Sequence, residues 1–196
     1  MITMKTLTQG LKKEGETMTT KKYELLKDDT KEAFDGTTLY RVKYLKSFSI
    51  IAKGELGGYI EKESNLSQDG DAWVYRNAWV SGDACVSGDA HVSEDAWVYG
   101  NAWVSENAHV SGNARVYEDA CVYGDAHVFG YAHVSEDACV SGNARVSGNA
   151  CVSGNACVSG RFDLTVNIDF ELPRIRIDSK EKLAKLKKFL DGFEEA

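Results

Sequence analysis

The stretch HVSGNARVYEDACVYG, from His109 to Gly124, decides the fold. Read in sixes from Asn113 it gives NARVYE and then DACVYG. The same six-letter word repeats without a break from Asp71 to Gly160, fifteen times in all. Ala holds the second place and Val the fourth in every word; Gly or Glu usually closes a word, and Asn or Asp usually opens the next. A fixed internal period takes precedence over any other reading of a chain. Val is β-branched and suits a strand. Ala and Val stand two apart and so point to one side of it, while the residue between them and the residue after Val point to the other. Gly-Asn and Gly-Asp make tight corners, because these residues tolerate left-handed backbone.

A strand, a corner and a strand, with three sides to a coil of eighteen residues, make an all-β, left-handed parallel β-helix of five coils. Ladder hydrogen bonds stack the coils about 4.8 Å apart. Bare ends of such a stack invite aggregation, and the flanks read as caps. Four regions result: a leader or flexible tail over 1–21, an N-terminal β cap with an imperfect first coil over 22–70, the hexapeptide β-helix over 71–160, and a C-terminal strand and α-helix cap over 161–196. Upstream, Tyr23–Leu26 and Leu39–Leu45 read as strands around a turn at Asp35-Gly36. Ile60 and Leu66, six apart, indicate the imperfect coil. Downstream, Phe162, Leu164, Val166, Ile168 and Phe170 alternate as a strand, and Leu164 stands six after Val158. Beyond Pro173, Ile175 and Ile177 alternate again. Asp178 with Glu181 forms a capping-box pattern ahead of a helix that places Leu183, Leu186, Phe189, Leu190 and Phe193 on one face.

The chain has 196 residues and a net charge of −7. Residues 71–160 hold 3 Lys/Arg against 11 Asp/Glu, so the excess negative charge sits in the repeats. That sign disfavours phosphate backbones and direct nucleic-acid binding, and suits a basic partner or none. No apolar run is long enough to span a membrane. The opening residues lack the apolar core of a secretory signal, and five cysteines with no CxxC pair fit a reducing, cytoplasmic setting. Lys13-Glu14-Gly15 can be encoded with a ribosome-binding sequence ahead of Met18, which suggests a start at Met18 and a bacterial or phage gene.

The third letter of the word changes freely and points outward. It holds all four Trp, all four His and all five Cys of the chain. Eighteen-residue spacing sorts it into three faces. The first carries Trp73, His91, His109, His127 and Arg145; the second Trp79, Trp97, Arg115, His133 and Cys151; the third Cys85, Trp103, Cys121, Cys139 and Cys157. Tyr99 and Tyr117, each after a Val, join the second face. Trp79, Trp97, Tyr99, Arg115, Tyr117 and His133 therefore form the candidate binding patch, since exposed Trp, Tyr and Arg together are the composition of an interface hot spot. Drift among codons one base apart explains the same variety without function. No catalytic or metal site is assigned and no cofactor is expected: stacked histidines about 4.8 Å apart do not converge on one ion, and the Cys121, Cys139, Cys157 column runs its side chains parallel.

The Val-x-x-x-Ala recurrence resembles the left-handed parallel β-helix of hexapeptide-repeat proteins. Lys53-Gly-Glu-Leu-Gly-Gly-Tyr-Ile60 and Asn65-Leu-Ser-Gln-Asp-Gly-Asp-Ala-Trp73 are similar to a bacterial and phage group often labelled hexapeptide acyltransferases. That resemblance implies acyl transfer from acyl-CoA between subunits of a trimer, with a His general base; His91, His109, His127 and His133 are available, but the words contain no insertion to shape a site. The reading preferred on the residues is a non-catalytic binding protein of phage or prophage origin. It presents its aromatic face to a protein partner, such as a bacterial host defence component, or to a small nucleotide signal. Self-association as a dimer or trimer, and a structural spacer, stand as alternatives.

Overall fold

The computed structural model describes residues 21–166 and the short strand Arg176–Ile177. The chain is an all-β parallel solenoid of about six turns, with one 3-10 turn at Glu63–Asn65 as its only described helical element. The five coils read from the words are joined at the N-terminal end by the imperfect coil, which completes the sixth. Three parallel sheets form its sides, and each contains one rung per coil. Rungs pair in the expected register: Trp97 lies between Trp79 and Arg115, His109 between His91 and His127, and Cys139 between Cys121 and Cys157. Each rung is held twice, as where the Trp97 amide donates to the Ala114 carbonyl at 2.9 Å and the Tyr99 amide to the Val116 carbonyl at 3.0 Å. Every Ala and Val of the words is buried, none more than 1% exposed, so the core is two columns of small apolar side chains per face.

The corners explain the remaining letters. Gly100 has φ 74°, and a Cβ there would stand 2.8 Å from the Glu118 amide nitrogen of the next coil. Glu118 holds the equivalent corner at φ 59°, where an L side chain is strained. Its compensation is a hydrogen bond: the Glu118 carboxylate accepts the Glu136 amide one coil on at 2.8 Å, as Glu94 accepts that of Gly112 at 2.8 Å. The first letter is ordered as well. Asn107 donates to Asp125 at 2.9 Å, Asn101 to Asp119 at 3.0 Å and Asn77 to Asp95 at 3.2 Å. Asn107 thus stands between Asp89 and Asp125, and Asn101 between Asp83 and Asp119, while Asp71 and Asp89 remain direct coil neighbours.

The N-terminal cap is an antiparallel hairpin of β1 (Tyr23–Glu32) and β2 (Thr38–Tyr44), followed by β3 (Leu56–Ile60). β2 pairs antiparallel with β3, and β3 pairs parallel with the Trp79 rung. The imperfect coil is present: Ile60 aligns with Val80 and Leu66 bridges Val86. β1 leaves its outer edge irregular, with a register shift between Leu26 and Thr30 across Lys27, Asp28 and Asp29, which blunts edge-to-edge pairing. Polar side chains satisfy the open end of the stack. The buried Lys22 ammonium donates to the Ala72 carbonyl at 2.9 Å, Tyr23 donates to that of Leu66 at 2.6 Å, and Asn65 donates to those of Gly82 and Ala84 at 2.9 and 2.8 Å. Burial, with Lys46 nearby, lowers the Lys22 pKa to about 8.

At the other end the solenoid runs past Gly160. Asp163–Val166 aligns Leu164 with Val146, and Arg176–Ile177 aligns Ile177 with Val152. The expected strand residues Ile168 and Phe170 and the helix after Asp178 lie outside the described residues. Among the described residues no helix is long and apolar enough to cross a membrane.

Pointing away from the core does not leave every outward position exposed. Trp73 is only 7% exposed: His91 stacks on it at 4.4 Å and Tyr75 meets its edge at 5.8 Å. Some positions after Val are covered too: Ser135, Ser141, Ser147 and Ser153 are buried.

Candidate functional site: a tryptophan–arginine face

In-register parallel pairing puts identical word positions directly above one another, so large side chains on one face must stack or splay. On the second face they stack. The Trp79 and Trp97 rings lie 5.0 Å apart and 2° from parallel. The Arg115 guanidinium covers the other side of Trp97 at 4.5 Å from the ring centre, a favourable cation–π geometry. Tyr99 and Tyr117 stack beside them at 5.0 Å and 3°, and His133 meets the Tyr117 edge at 6.3 Å. All six candidate residues therefore share one surface: Trp79, Trp97 and Arg115 are in contact in sequence order, as are Tyr99, Tyr117 and His133, and the Arg115 rung pairs with the His133 rung.

The face carries more than the sequence indicated. Tyr59 of β3 heads the column, in register with Trp79. Two cations lie against its ring: Arg41 at 4.8 Å and Lys31 at 4.4 Å, with Lys31 also 6.0 Å from Trp79. The β1–β2 turn folds back over the coils, so that Phe34 stacks on Trp97 at 5.5 Å while remaining 70% exposed. The tryptophan pair becomes a ridge between two concavities. One, of about 270 Å³, is lined by Lys31, Asn77, Trp79, Asp95, Trp97, Asn113 and Arg115. The other, of about 250 Å³, lies under Phe34 against Ser81 and Tyr99. A third, of about 320 Å³, continues along the column between Arg115, His133 and Tyr131.

Eighteen-residue spacing missed Tyr59 for a definite reason. The first coil has twenty residues, with Leu66 and Val74 eight apart instead of six, so Tyr59 stands twenty before Trp79. The Gly57-Gly58-Tyr59-Ile60 run was the available signal: both glycines are buried, and a Cβ on Gly58 would meet the Ala78 carbonyl at 2.6 Å. Lys31 and Phe34 reach the face only through the hairpin fold-back, and no local pattern announces it.

The first face is a column of imidazoles. His91 and His109 lie 4.4 Å apart, edge to face, and His109 and His127 stack at 4.8 Å. Burial and the neighbouring His109 lower the His91 pKa to about 4; burial and His127 lower that of His109, and burial and Arg145 lower that of His127. These rings pack as neutral aromatic plates. On the third face the cysteines are free thiols, burial raises the pKa of Cys121 and Cys139, and Trp103 is 56% exposed. Among the described residues no group of three His, Cys, Asp or Glu side chains is arranged to hold a metal ion.

Over residues 108–124 and 138–154 the chain matches the family model described as YdcK Beta solenoid repeat. Each stretch spans nearly one coil; the first includes Arg115 of the tryptophan–arginine face and the second Cys151. No curated protein matches the chain. In these two coils the chain is similar to the YdcK repeat, and that likeness concerns the β-solenoid architecture.

Proposed function

We propose that this protein is a non-catalytic binding solenoid that engages a protein partner through the tryptophan–arginine face. One observation carries the reading: the Trp79–Trp97 pair, capped by Arg115, forms a ridge with a concavity on either side. Interface energy concentrates in Trp, Tyr and Arg side chains set beside pockets. Rings already fixed by stacking on a rigid scaffold lose little further freedom on binding, which favours affinity. The setting belongs to the same proposal: a phage or prophage gene acting in the cytoplasm of a bacterial host, with a defence component or its nucleotide signal as target. Self-association into a dimer or trimer would use the same surface.

Acyl transfer, implied by the hexapeptide resemblance, has less support. A general base needs a ring nitrogen open to substrate. The fifteen words contain no insertion that would shape a substrate pocket around His91, His109, His127 or His133.

The test is affinity capture from host lysate with the wild-type chain and a Trp79→Ser, Trp97→Ser double variant, beside native mass measurement and an acyl-CoA titration. A stoichiometric partner lost by the folded double variant supports the proposal. A complex containing this chain alone assigns the face to self-association. Acyl-CoA binding with turnover would replace the proposal with the enzyme reading.

A further inference from the structure

The chemistry of the tryptophan–arginine face also specifies what its partner presents, if the binding reading above is right. Three observations bear on it. First, the faces of the two indoles are occupied. Trp79 and Trp97 cover one another, Arg115 covers the far side of Trp97, Lys31 stands 6.0 Å over Trp79, and Phe34 stacks against Trp97. What remains toward solvent is ring edge, where the aromatic quadrupole is positive. An edge receives a carbonyl or a carboxylate; a nucleobase stacking face-on finds no open ring between these rungs.

Second, the two cations that bracket the pair carry no ion pair among the described residues. The salt bridges there are Lys21–Glu63, Lys43–Glu24, Lys62–Asp83 and Arg76–Glu94. Lys31 holds only the Asn77 side-chain oxygen at 3.2 Å and the rings beneath it. Arg115 is one of three cations that the coils hold against eleven carboxylates. Of the other two, Arg76 pairs with Glu94, and Arg145 lies over Phe129 on the histidine side. Third, Lys31 and Arg115 stand at opposite ends of one cavity of about 270 Å³, and Asp95 lines it together with Asn77 and Asn113. Anions are therefore favoured at the two ends, and a hydrogen-bond donor is favoured at Asp95.

We infer that this face takes an extended acidic segment of a protein partner, with one carboxylate on Lys31 and a second on Arg115. The steps from Lys31 to Trp79 (6.0 Å), Trp79 to Trp97 (5.0 Å) and Trp97 to Arg115 (4.5 Å) limit the reach. An extended chain rising about 3.3 Å per residue covers that reach in no more than about five residues. Side chains of an extended chain alternate, so both acidic residues face the ridge only at even spacing and stand two or four positions apart, with a backbone or hydroxyl donor between them to meet Asp95. The complementarity is local: the rest of the coil surface is acidic and repels the same segment, which fixes where it docks.

The experiment is selection of a displayed library of random twelve-residue peptides on the full chain. Fluorescence polarisation then compares the best peptide on wild type, Lys31→Gln, Arg115→Gln and the Trp79→Ser, Trp97→Ser double variant, with thermal melting to verify folding. Enriched peptides are expected to be acidic at the stated spacing. Each neutralising variant is expected to weaken them about tenfold, and raising salt should weaken wild-type binding but much less that of the variants. Neutral or basic enriched peptides, or acidic ones indifferent to both Gln variants, overturn the inference. If such peptides are still lost by the folded Trp double variant, the binding face stands and only its acidic preference falls. Should no peptide be enriched, or binding survive loss of both tryptophans, the face reading falls as well. A mononucleotide that binds this site where no peptide does would also overturn the inference in favour of a nucleotide ligand.

Discussion

Acidification from pH 7.5 to 4.5 should destabilise this solenoid through the histidine column, and His91 sets the size of the effect. Its folded pKa is lowered to about 4, first by burial and then by His109, against an ordinary 6.5; the carboxylates of Asp89 and Asp71 oppose the shift. A base with a lowered folded pKa contributes full stability above the unfolded value and loses it as pH falls from there toward the folded value. The window is therefore pH 6.5 down to about 4. In it the unfolded chain binds a proton that the folded chain refuses. Two pH units into that window the full linkage is about 2.7 kcal/mol, at 1.36 kcal/mol per unit. The ring is part-buried and keeps some contact with water, which screens the charge, so about half of that, roughly 1–1.5 kcal/mol, is expected. Carboxylate protonation acts over the same range, so the measurement must be a double difference. Urea unfolding of wild type and His91→Gln at both pH values isolates the imidazole, since losing the Trp73 stack costs the variant equally at each. Wild type should lose about 1 kcal/mol more than the variant between pH 7.5 and 4.5. Parallel losses within about 0.3 kcal/mol, or a His91 ring proton that titrates near 6.5 by NMR, would refute the packing argument.

Three further perturbations probe the scaffold. Gly58→Ala places a Cβ against the Ala78 carbonyl at 2.6 Å and Val74 Cγ1 at 2.7 Å, so a loss of about 1–3 kcal/mol is expected in thermal unfolding; an unchanged midpoint would mean that β3 does not seat as described. At the corner with φ 59°, Glu118→Ala keeps the strain and loses the bond to the Glu136 amide, whereas Glu118→Gly relieves the strain. The Gly variant should therefore be the more stable of the two by about 0.5–1 kcal/mol, the reverse of the order in a helix or strand. Asn107→Asp replaces the donor that bridges to Asp125 with a fourth carboxylate in the corner column that also holds Asp71 and Asp89. A loss of about 0.5–1 kcal/mol at low ionic strength, largely recovered in 1 M salt, is expected; a salt-independent loss would exclude charge repulsion as the cause.

The sequence by itself determined the solenoid, the register of its three faces and the membership of its outward columns. A hexad with Ala and Val at fixed places has one way to bury both, and in-register stacking then follows from the period alone. That is why Trp79, Trp97 and Arg115 could be aligned without coordinates, as could Tyr99 with Tyr117. Tertiary structure alone decided how the ends are closed and what surrounds the aromatic ridge. Lys31 and Phe34 arrive on the face because a hairpin some fifty residues away folds back across the coils, and Tyr59 arrives because two extra residues shift the first coil out of the hexad period. The outward positions differ in burial for the same reason. An exposed column on paper becomes a stack whose members cover one another, so Trp73 is hidden while Trp103, with small cysteines on both sides, stays open. Periodicity encodes nearest neighbours along the coil axis; contacts made by a flank that crosses that axis have no period to be read.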